Sequence, residues 1–152
     1  MSAEQNLKEL GITLPTDTPP AANYTNAVRS GNLMFLAGKG PQPENGKLPK
    51  GRLGEAFTTE DGYRFARSTA INLIAVMRAE LGSLDKVARV VEVQGFINAV
   101  PDFEDHAKVL DGCSDLLIAV FNERGVHARS VLGASSLRSG LPIVIKAVIE
   151  II

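Results

Sequence analysis

The stretch LPIVIKAVIEII, residues 141–152, decides the fold of this chain. Its side chains divide into two alternating sets, as in a β-strand. One set is Ile143, Ile145, Ala147, Ile149 and Ile151, and the other is Val144, Lys146, Val148, Glu150 and Ile152. Because the second set is also mostly apolar, neither face of this strand suits open water. The strand is therefore predicted to lie in a sheet that is covered on both sides.

Other segments of the chain are also predicted as strands. HARSVLGASSL (residues 127–137) is joined to the last strand by the turn RSG. ARVVEVQGFINAV (residues 88–100) is a longer strand. The residues that we expect to share one of its faces are Val91, Val93, Ile97 and Ala99. YTNAVRS and LMFLAG flank the turn SGN (residues 30–32) and predict a β-hairpin, and Asn45-Gly46 predicts a second, short hairpin.

Two long helices and one short helix complete the pattern. Residues 3–10 are predicted as a short amphipathic helix, and LPTDTPPAAN (residues 14–23) as an extended linker, because proline removes backbone donors. Thr58 opens the first long helix in the pattern Thr-x-x-Asp, which favours a helix start. The second long helix is predicted over roughly 103–124, with an interruption near Gly112.

The order hairpin, helix, strand, helix, strand, strand predicts an α+β domain with two long helices on one face of a mixed sheet. Two helices cannot cover the second face as well. Another copy of the same sheet is the expected cover, which predicts an obligate homo-oligomer. We expect residues 1–19 to form an N-terminal helix and linker, and residues 20–152 to form a single domain.

Composition limits the classes of function. Sixteen basic and seventeen acidic residues give a formal net charge of −1, which offers no electrostatic footprint for nucleic acid. One cysteine cannot form an internal disulfide, and with two histidines it makes a poor metal site, so we expect neither metal nor cofactor. The N-terminus has no apolar h-region, and no apolar run reaches the ~18 residues of a membrane span. A reducing, cytoplasmic location is therefore expected.

Most of the polar residues that stand out have a plain structural interpretation. His106 and His127 have no acidic partner at a metal-like spacing and are expected to be capping or surface residues. Cys113 has no flanking basic residue, so a buried small residue is expected rather than a thiolate nucleophile. Asp111 and Asp115 share one helix face, for which simple solvation is expected.

Arg129 is different, because it lies at the start of a strand whose two faces are predicted to be largely buried. An arginine there must be paired, or it must line a cleft where an anion can pair with it. Its planar guanidinium can bind a carboxylate through two parallel hydrogen bonds, which lysine cannot do. A surface arginine and an anion site are both open interpretations of these residues alone.

Two stretches resemble the Rid (YjgF-like) family, whose older name is L-PSP endoribonuclease. NYTNAVRSGNLMFLAGKGP (residues 23–41) resembles its first hairpin, and HARSVLGASSLRSGLPIVIKAVIEI (residues 127–151) its signature Ala-Arg-Ser strand pair. The resemblance covers about residues 20–152, and the long helical region at 108–125 points to a sister subfamily of the imine deaminases. It implies a chorismate-mutase-like fold assembled as a homotrimer with ligand clefts between subunits, which agrees with the argument from the two-faced sheet.

The resemblance also implies a reaction and a site. Well-known members hydrolyse enamine and imine intermediates, such as 2-aminoacrylate, to a 2-keto acid and ammonia. By resemblance, Arg129 holds the substrate carboxylate and Tyr24 is the hairpin tyrosine of the cleft, and both are predicted catalytic residues. Gly38 is the cleft-lining glycine, and Lys39 beside it is predicted to contribute positive charge.

The chain departs from the family pattern at three places, one of which is Val131, where the family often has a cysteine. The family's Ser-Gly-Gln becomes Ala37-Gly38-Lys39, and its Glu-x-Glu of the last strand becomes Val144 and Lys146. Because the first glutamate helps to place the attacking water, its loss favours a second hypothesis, a trimer that only binds small carboxylates. A third hypothesis, endoribonuclease, is disfavoured by the net charge and by the lack of tryptophan. The expected partner is a small carboxylate-bearing metabolite, with neither membrane nor nucleic acid.

Overall fold

A computed structural model describes residues 1–16, 19–20 and 22–152 of the chain. The elements follow the order α1 (Ala3–Glu9), β1 (Ala27–Ser30), β2 (Leu33–Lys39), α2 (Thr59–Leu81), β3 (Val87–Asn98), α3 (His106–Phe121), β4 (Ala128–Ala134) and β5 (Ile143–Ile151). Short 3-10 helices at Leu84–Lys86, Asn122–Gly125 and Arg138–Gly140 lead into β3, β4 and β5. The predicted extended linker falls partly on Asp17, Thr18 and Ala21, which lie outside the described residues.

The five strands form one mixed sheet in the order β1-β2-β5-β3-β4. β3 and β4 run parallel, and the other neighbours are antiparallel. The predicted α+β fold with helices on one face of a mixed sheet is therefore confirmed. β5 occupies the centre of the sheet although it is the fifth strand along the chain.

Both faces of β5 are largely apolar, as the sequence predicts. Its helix-facing side chains are all buried: Ile143, Ile145, Ala147, Ile149 and Ile151. On the opposite face Lys146 is exposed and Val144 is half-buried. The same face carries Phe35 of β2 and Leu132 of β4, which are 46% and 56% exposed in the single chain. This open sheet face is thus largely apolar, and the predicted homo-oligomer remains a prediction.

The predicted face of β3 is wrong at one residue. Val93, Ile97 and Ala99 are buried as expected, but Val91 is only half-buried and Val90 is fully buried in its place. The pairing of β3 with β5 shifts between Val90 and Glu92. Such a bulge adds one residue to a strand, so the alternation of side chains changes phase there.

The capping box at Thr58 fixes the start of α2. The Thr58 hydroxyl accepts a hydrogen bond of 3.1 Å from the N–H of Asp61, and the Asp61 carboxylate accepts one of 2.9 Å from the N–H of Thr58. The bond from the Thr58 N–H, followed by that from Arg64, lowers the pKa of Asp61. The helix ends at Gly82, whose φ of 82° is the left-handed conformation that favours glycine.

α3 runs from His106 to Phe121 without the predicted interruption at Gly112. At Gly112 the helix crosses α2 so closely that an added Cβ would lie 2.9 Å from the carbonyl carbon of Tyr63 and 3.1 Å from the nitrogen of Arg67. Because glycine has no side chain, Gly112 allows α2 and α3 to pack closely, and it does not break the helix. No helix in the described part of the chain has both the length and the apolar composition needed to cross a membrane.

α1 is part of the same core. Leu7 is 2% exposed, and the side-chain amide of Asn6 donates a 2.9 Å hydrogen bond to the carbonyl of Val120 at the end of α3. Glu4 forms a 2.6 Å ion pair with Arg78 and accepts a 2.8 Å hydrogen bond from the N–H of Leu84. Burial raises the pKa of Glu4, but the bonds from Arg78 and Leu84 outweigh it and hold that pKa below its ordinary value.

Candidate functional site

A pocket of about 400 Å³ opens beside the end of β2. It brings together three of the predicted site residues, Tyr24, Gly38 and Lys39. Asn72 of α2 and Arg138 of the turn before β5 also line it. Its volume is in the range of small-molecule sites.

The linker between α1 and β1 supplies another wall of this pocket. Pro15, Thr16, Pro19 and Pro20 all line the cavity. Proline restricts the backbone, so these residues give the wall a limited choice of conformations. The linker is anchored at its start by Leu14, which packs against the hydrophobic core. The N-terminal part of the chain therefore contributes directly to the pocket.

The loop after β2 is held against α2 by two hydrogen bonds. The Asn72 side chain donates to the carbonyl of Gly40 at 2.8 Å, and the Ser68 hydroxyl accepts from the N–H of Gln42 at 2.8 Å. Gly38 lies against β5, where an added Cβ would be 2.9 Å from a methyl carbon of Val144. An apolar side chain thus stands beside Gly38 at the position where the resemblance places a glutamate.

Both charged residues among the described lining of the pocket are cations. Lys39 and Arg138 line it, and no aspartate or glutamate appears among its described lining residues. The ammonium of Lys39 donates a 3.0 Å hydrogen bond to the amide oxygen of Asn26, which is neutral. Because no carboxylate among the described lining residues balances either cation, the arrangement favours an anionic ligand.

The turn that carries Arg138 is well fixed. Ser139 has a φ of 56° and Gly140 a φ of 68°, so both residues are left-handed. The N–H of Gly51 donates a 2.9 Å hydrogen bond to the carbonyl of Gly140, and the N–H of Leu141 donates at 3.1 Å to that of Arg138. A left-handed serine is uncommon, and it persists only where its surroundings hold it.

Arg129 does not line this pocket. Its guanidinium Nη1 is 2.9 Å from a carboxylate oxygen of Asp111 and 3.1 Å from the hydroxyl of Ser114, and Nη2 donates to the carbonyl of Ala107 at 3.2 Å. Three strand spacings, or roughly 14 Å, separate β4 from β2 in the sheet. A single chain therefore does not bring Arg129 to Tyr24, Gly38 and Lys39.

His127 joins the same polar cluster as Arg129. Its Nδ1 lies 2.6 Å from the carbonyl of Gly125, and its Nε2 lies 2.9 Å from the hydroxyl of Ser114. A carbonyl only accepts, so Nδ1 carries the proton and, in the neutral ring, Nε2 accepts from Ser114. The bond to Gly125, the last residue of the 3-10 helix Asn122–Gly125, is the capping contact that the sequence leads us to expect of His127. Asp111 is 48% exposed, in line with a solvated face, and its ion pair with Arg129 was not predicted.

The other residues singled out by the sequence have structural contacts. Asp115 is exposed, in line with the expected solvated face, and it accepts a 2.7 Å hydrogen bond from the hydroxyl of Tyr63. His106 is half-buried with its ring edge-on to Phe103, at 5.1 Å between centroids. Cys113 is buried as predicted, and burial raises the pKa of its thiol to about 12, against a smaller lowering by the charge of Arg129. Within the described residues, no group of three His, Cys, Asp or Glu side chains could hold a metal ion.

Comparison with known proteins places these features in a family. Residues 4–144 match the family described as "YjgF/chorismate mutase-like, putative endoribonuclease". Protein TCP17 of Trypanosoma cruzi is 38% identical over 147 residues, which cover 96% of this chain and 92% of TCP17.

Solved structures show the same likeness. Protein Atu1372 of Agrobacterium tumefaciens is 38% identical with a TM-score of 0.89, over 99% of this chain and 92% of that protein. A Shewanella oneidensis protein described as "a putative endoribonuclease" is 26% identical with a TM-score of 0.95, over 99% of this chain and 100% of that one. The YjgF gene product of E. coli is 26% identical with a TM-score of 0.62, over 91% and 98%.

Proposed function

The chain belongs to the YjgF/chorismate mutase-like family, and we propose that it hydrolyses small 2-imino or enamino acids to the 2-keto acid and ammonia. The observation that carries this proposal is the pocket of about 400 Å³ with Lys39 and Arg138 in its wall. No carboxylate side chain stands among its described lining residues, so a carboxylate-bearing ligand meets attraction without repulsion. The volume suits a small metabolite.

The chemistry needs a bound imine and one water. The water oxygen bonds to the imine carbon, the carbon–nitrogen bond then breaks, and the nitrogen leaves as ammonia with protons taken from the water. Cations around the carboxylate orient the substrate for this attack. Val144 stands beside Gly38 and has no group that could accept a proton. We therefore propose that the attacking water passes its proton to the leaving nitrogen. The hydroxyl of Tyr24 in the pocket accepts and donates hydrogen bonds in this transfer.

We propose that the complete site forms between copies of the chain in a homotrimer. Tyr24 and Arg129 are too far apart to act together in one chain, whereas neighbouring copies could place them in one cleft. The open sheet face, with Phe35 and Leu132 exposed, offers an apolar surface for that assembly. Light scattering is expected to give about three times the 16.2 kDa of the chain, and a mass near 16.2 kDa at micromolar concentration would exclude it.

A coupled assay tests the reaction. A dehydratase generates 2-aminoacrylate, and the release of keto acid is timed with this protein, with Arg129→Ala, with Lys39→Gln and with no addition. Acceleration by the wild type that falls in both variants supports the proposal. Lys86→Gln removes one positive charge from an exposed lysine outside the pocket and is the matched control.

Two other outcomes have their own meaning. If the wild type does not accelerate keto-acid release but binds 2-oxobutyrate in calorimetry, the protein is a carboxylate-binding protein and the hydrolase proposal fails. Cleavage of a single-stranded RNA that is lost with Arg129→Ala would favour the endoribonuclease of the family description instead. The net charge of −1 and the small pocket make that outcome unexpected.

A further inference from the structure

We propose that the ligand of the pocket is a dicarboxylate, a 2-imino or 2-keto acid whose second carboxylate is bound by Arg138. This rests on the proposed function, because it takes the same pocket as the ligand site and names the class of its ligand. Arg138 stood only in a predicted turn in the sequence, so its place in the pocket is a result of the structure.

The charges of the pocket support two anionic groups. Lys39 meets only the neutral amide oxygen of Asn26 at 3.0 Å, so its charge is not balanced there. Arg138 has no hydrogen-bond or ion-pair partner for its side chain among residues 1–16, 19–20 and 22–152. By contrast, Arg78 and Arg129 are paired with carboxylates at 2.6 and 2.9 Å. Lys39 and Arg138 are the two charged residues among the described lining of the pocket in one chain, and a ligand with two carboxylates can pair with both of them.

The two cations also reach the pocket from different elements. Lys39 ends strand β2, and Arg138 opens the 3-10 turn before β5. A ligand that pairs with both cations must therefore present two separate anionic groups. A ligand with one anionic group would pair with one cation and leave the other solvated. An unpaired arginine that lines a cavity favours the first arrangement, because its planar fork can bind a carboxylate through two hydrogen bonds.

The backbone of the turn favours a positioning role for Arg138. Ser139, the next residue, is held in the left-handed region at a φ of 56°, which is unfavourable for a residue with a side chain. The hydrogen bond from Gly51 to Gly140 keeps the turn in this shape. An unfavourable backbone that is fixed from outside is typical of residues that orient a functional neighbour.

Calorimetric titration with two matched ligands tests this inference. 2-Oxoglutarate and 2-oxopentanoate have the same five carbons and differ in the second carboxylate. Wild-type protein is expected to bind 2-oxoglutarate at least about tenfold more tightly, as one charge-assisted pair gives. Arg138→Gln is expected to reduce the ratio of the two affinities to about one, and Lys86→Gln is expected to keep the wild-type ratio. Thermal melts confirm that each variant is folded.

Each other result overturns the inference. Equal affinities in the wild type, or a preference that persists in Arg138→Gln, would show that Arg138 does not bind a second carboxylate. If the two acids bind equally tightly and the coupled assay shows activity, the proposed function stands and only the dicarboxylate class fails. If neither acid binds to the wild type, the dicarboxylate class fails, and the coupled assay decides separately whether the proposed function stands.

Discussion

Replacing Asp111 by asparagine separates a carboxylate clamp at Arg129 from a purely structural arginine. The two side chains lie 2.9 Å apart and are 48% and 26% exposed, and such a partly exposed pair contributes about 0.5–1 kcal/mol to the free energy of unfolding. Arg129 keeps its bonds to Ser114 and Ala107, so Asp111→Asn should lower the melting temperature by only about 1–4 °C. In the wild type, a ligand carboxylate must displace the Asp111 carboxylate from Arg129. Asp111→Asn removes this cost of about 0.5–1 kcal/mol, so the variant should bind the ligand up to about fivefold more tightly.

Titration with 2-oxobutyrate measures this gain. Arg129→Ala should bind at least about tenfold more weakly, because a charge-assisted hydrogen bond contributes about 1.5–3 kcal/mol. Asp115→Asn is the matched control, since Asp115 lies one turn along the same helix and accepts from Tyr63 at 2.7 Å instead. If Asp111→Asn weakens binding as much as Arg129→Ala does, Arg129 acts through its ion pair and the clamp is refuted. An equal gain in Asp115→Asn would assign the effect to net charge.

Three further predictions concern close contacts and titratable groups. Gly112→Ala should lower the free energy of unfolding by about 3 kcal/mol or more, because its methyl meets the backbone of Tyr63. Gly95→Ala should cost less than half as much, since it meets a movable leucine side chain, and equal costs in urea unfolding would contradict this. Glu4→Gln should destabilise the protein at neutral pH and much less at about pH 3. The lowered folded-state pKa gives Glu4 a stabilising contribution above its unfolded pKa, which is lost as pH falls through the folded value. Thermal melts at both pH values check this, and a loss independent of pH would count against it. Cys113, with its pKa raised to about 12, should react with a thiol reagent at pH 8 only in denaturant, and rapid labelling of the native protein would be inconsistent with its burial.

Features that depend on neighbours in sequence could be predicted. The alternation of residues in β5 predicted the correct buried set. Successive side chains of a strand point to opposite faces of the sheet, so the position of a residue in the strand is enough to assign its face. The capping box at Thr58 formed as its four-residue pattern indicates. At Asn45 and Gly46 the chain turns with φ values of 54° and 77°, between the bridge partners Glu44 and Lys47.

Features that depend on contacts between distant elements could not be predicted. The bulge after Val90 changes the face of β3 because of its pairing with β5. The helix continues through Gly112 because α2 crosses there, and no local pattern in α3 shows that crossing. Arg129 and His127 find their partners only when α3 docks on β4.

The candidate site divides in the same way. The family resemblance led to Tyr24, Gly38 and Lys39, which line one pocket. It did not indicate Arg138, since a turn sequence of Arg-Ser-Gly predicts only a change of chain direction. The left-handed serine that follows it is visible only in the backbone.

The central place of β5 in the sheet has a consequence for how the chain folds while it is being synthesised. A ribosome makes the hairpin β1–β2 and the pair β3–β4 well before the strand that must lie between them. Until residues 143–151 emerge, β2 and β3 lack the strand that each of them pairs with in the finished sheet, and their apolar side chains lack its packing. Folding is therefore expected to wait for the end of this segment's synthesis, and a nascent chain arrested before Ile143 should remain sensitive to protease.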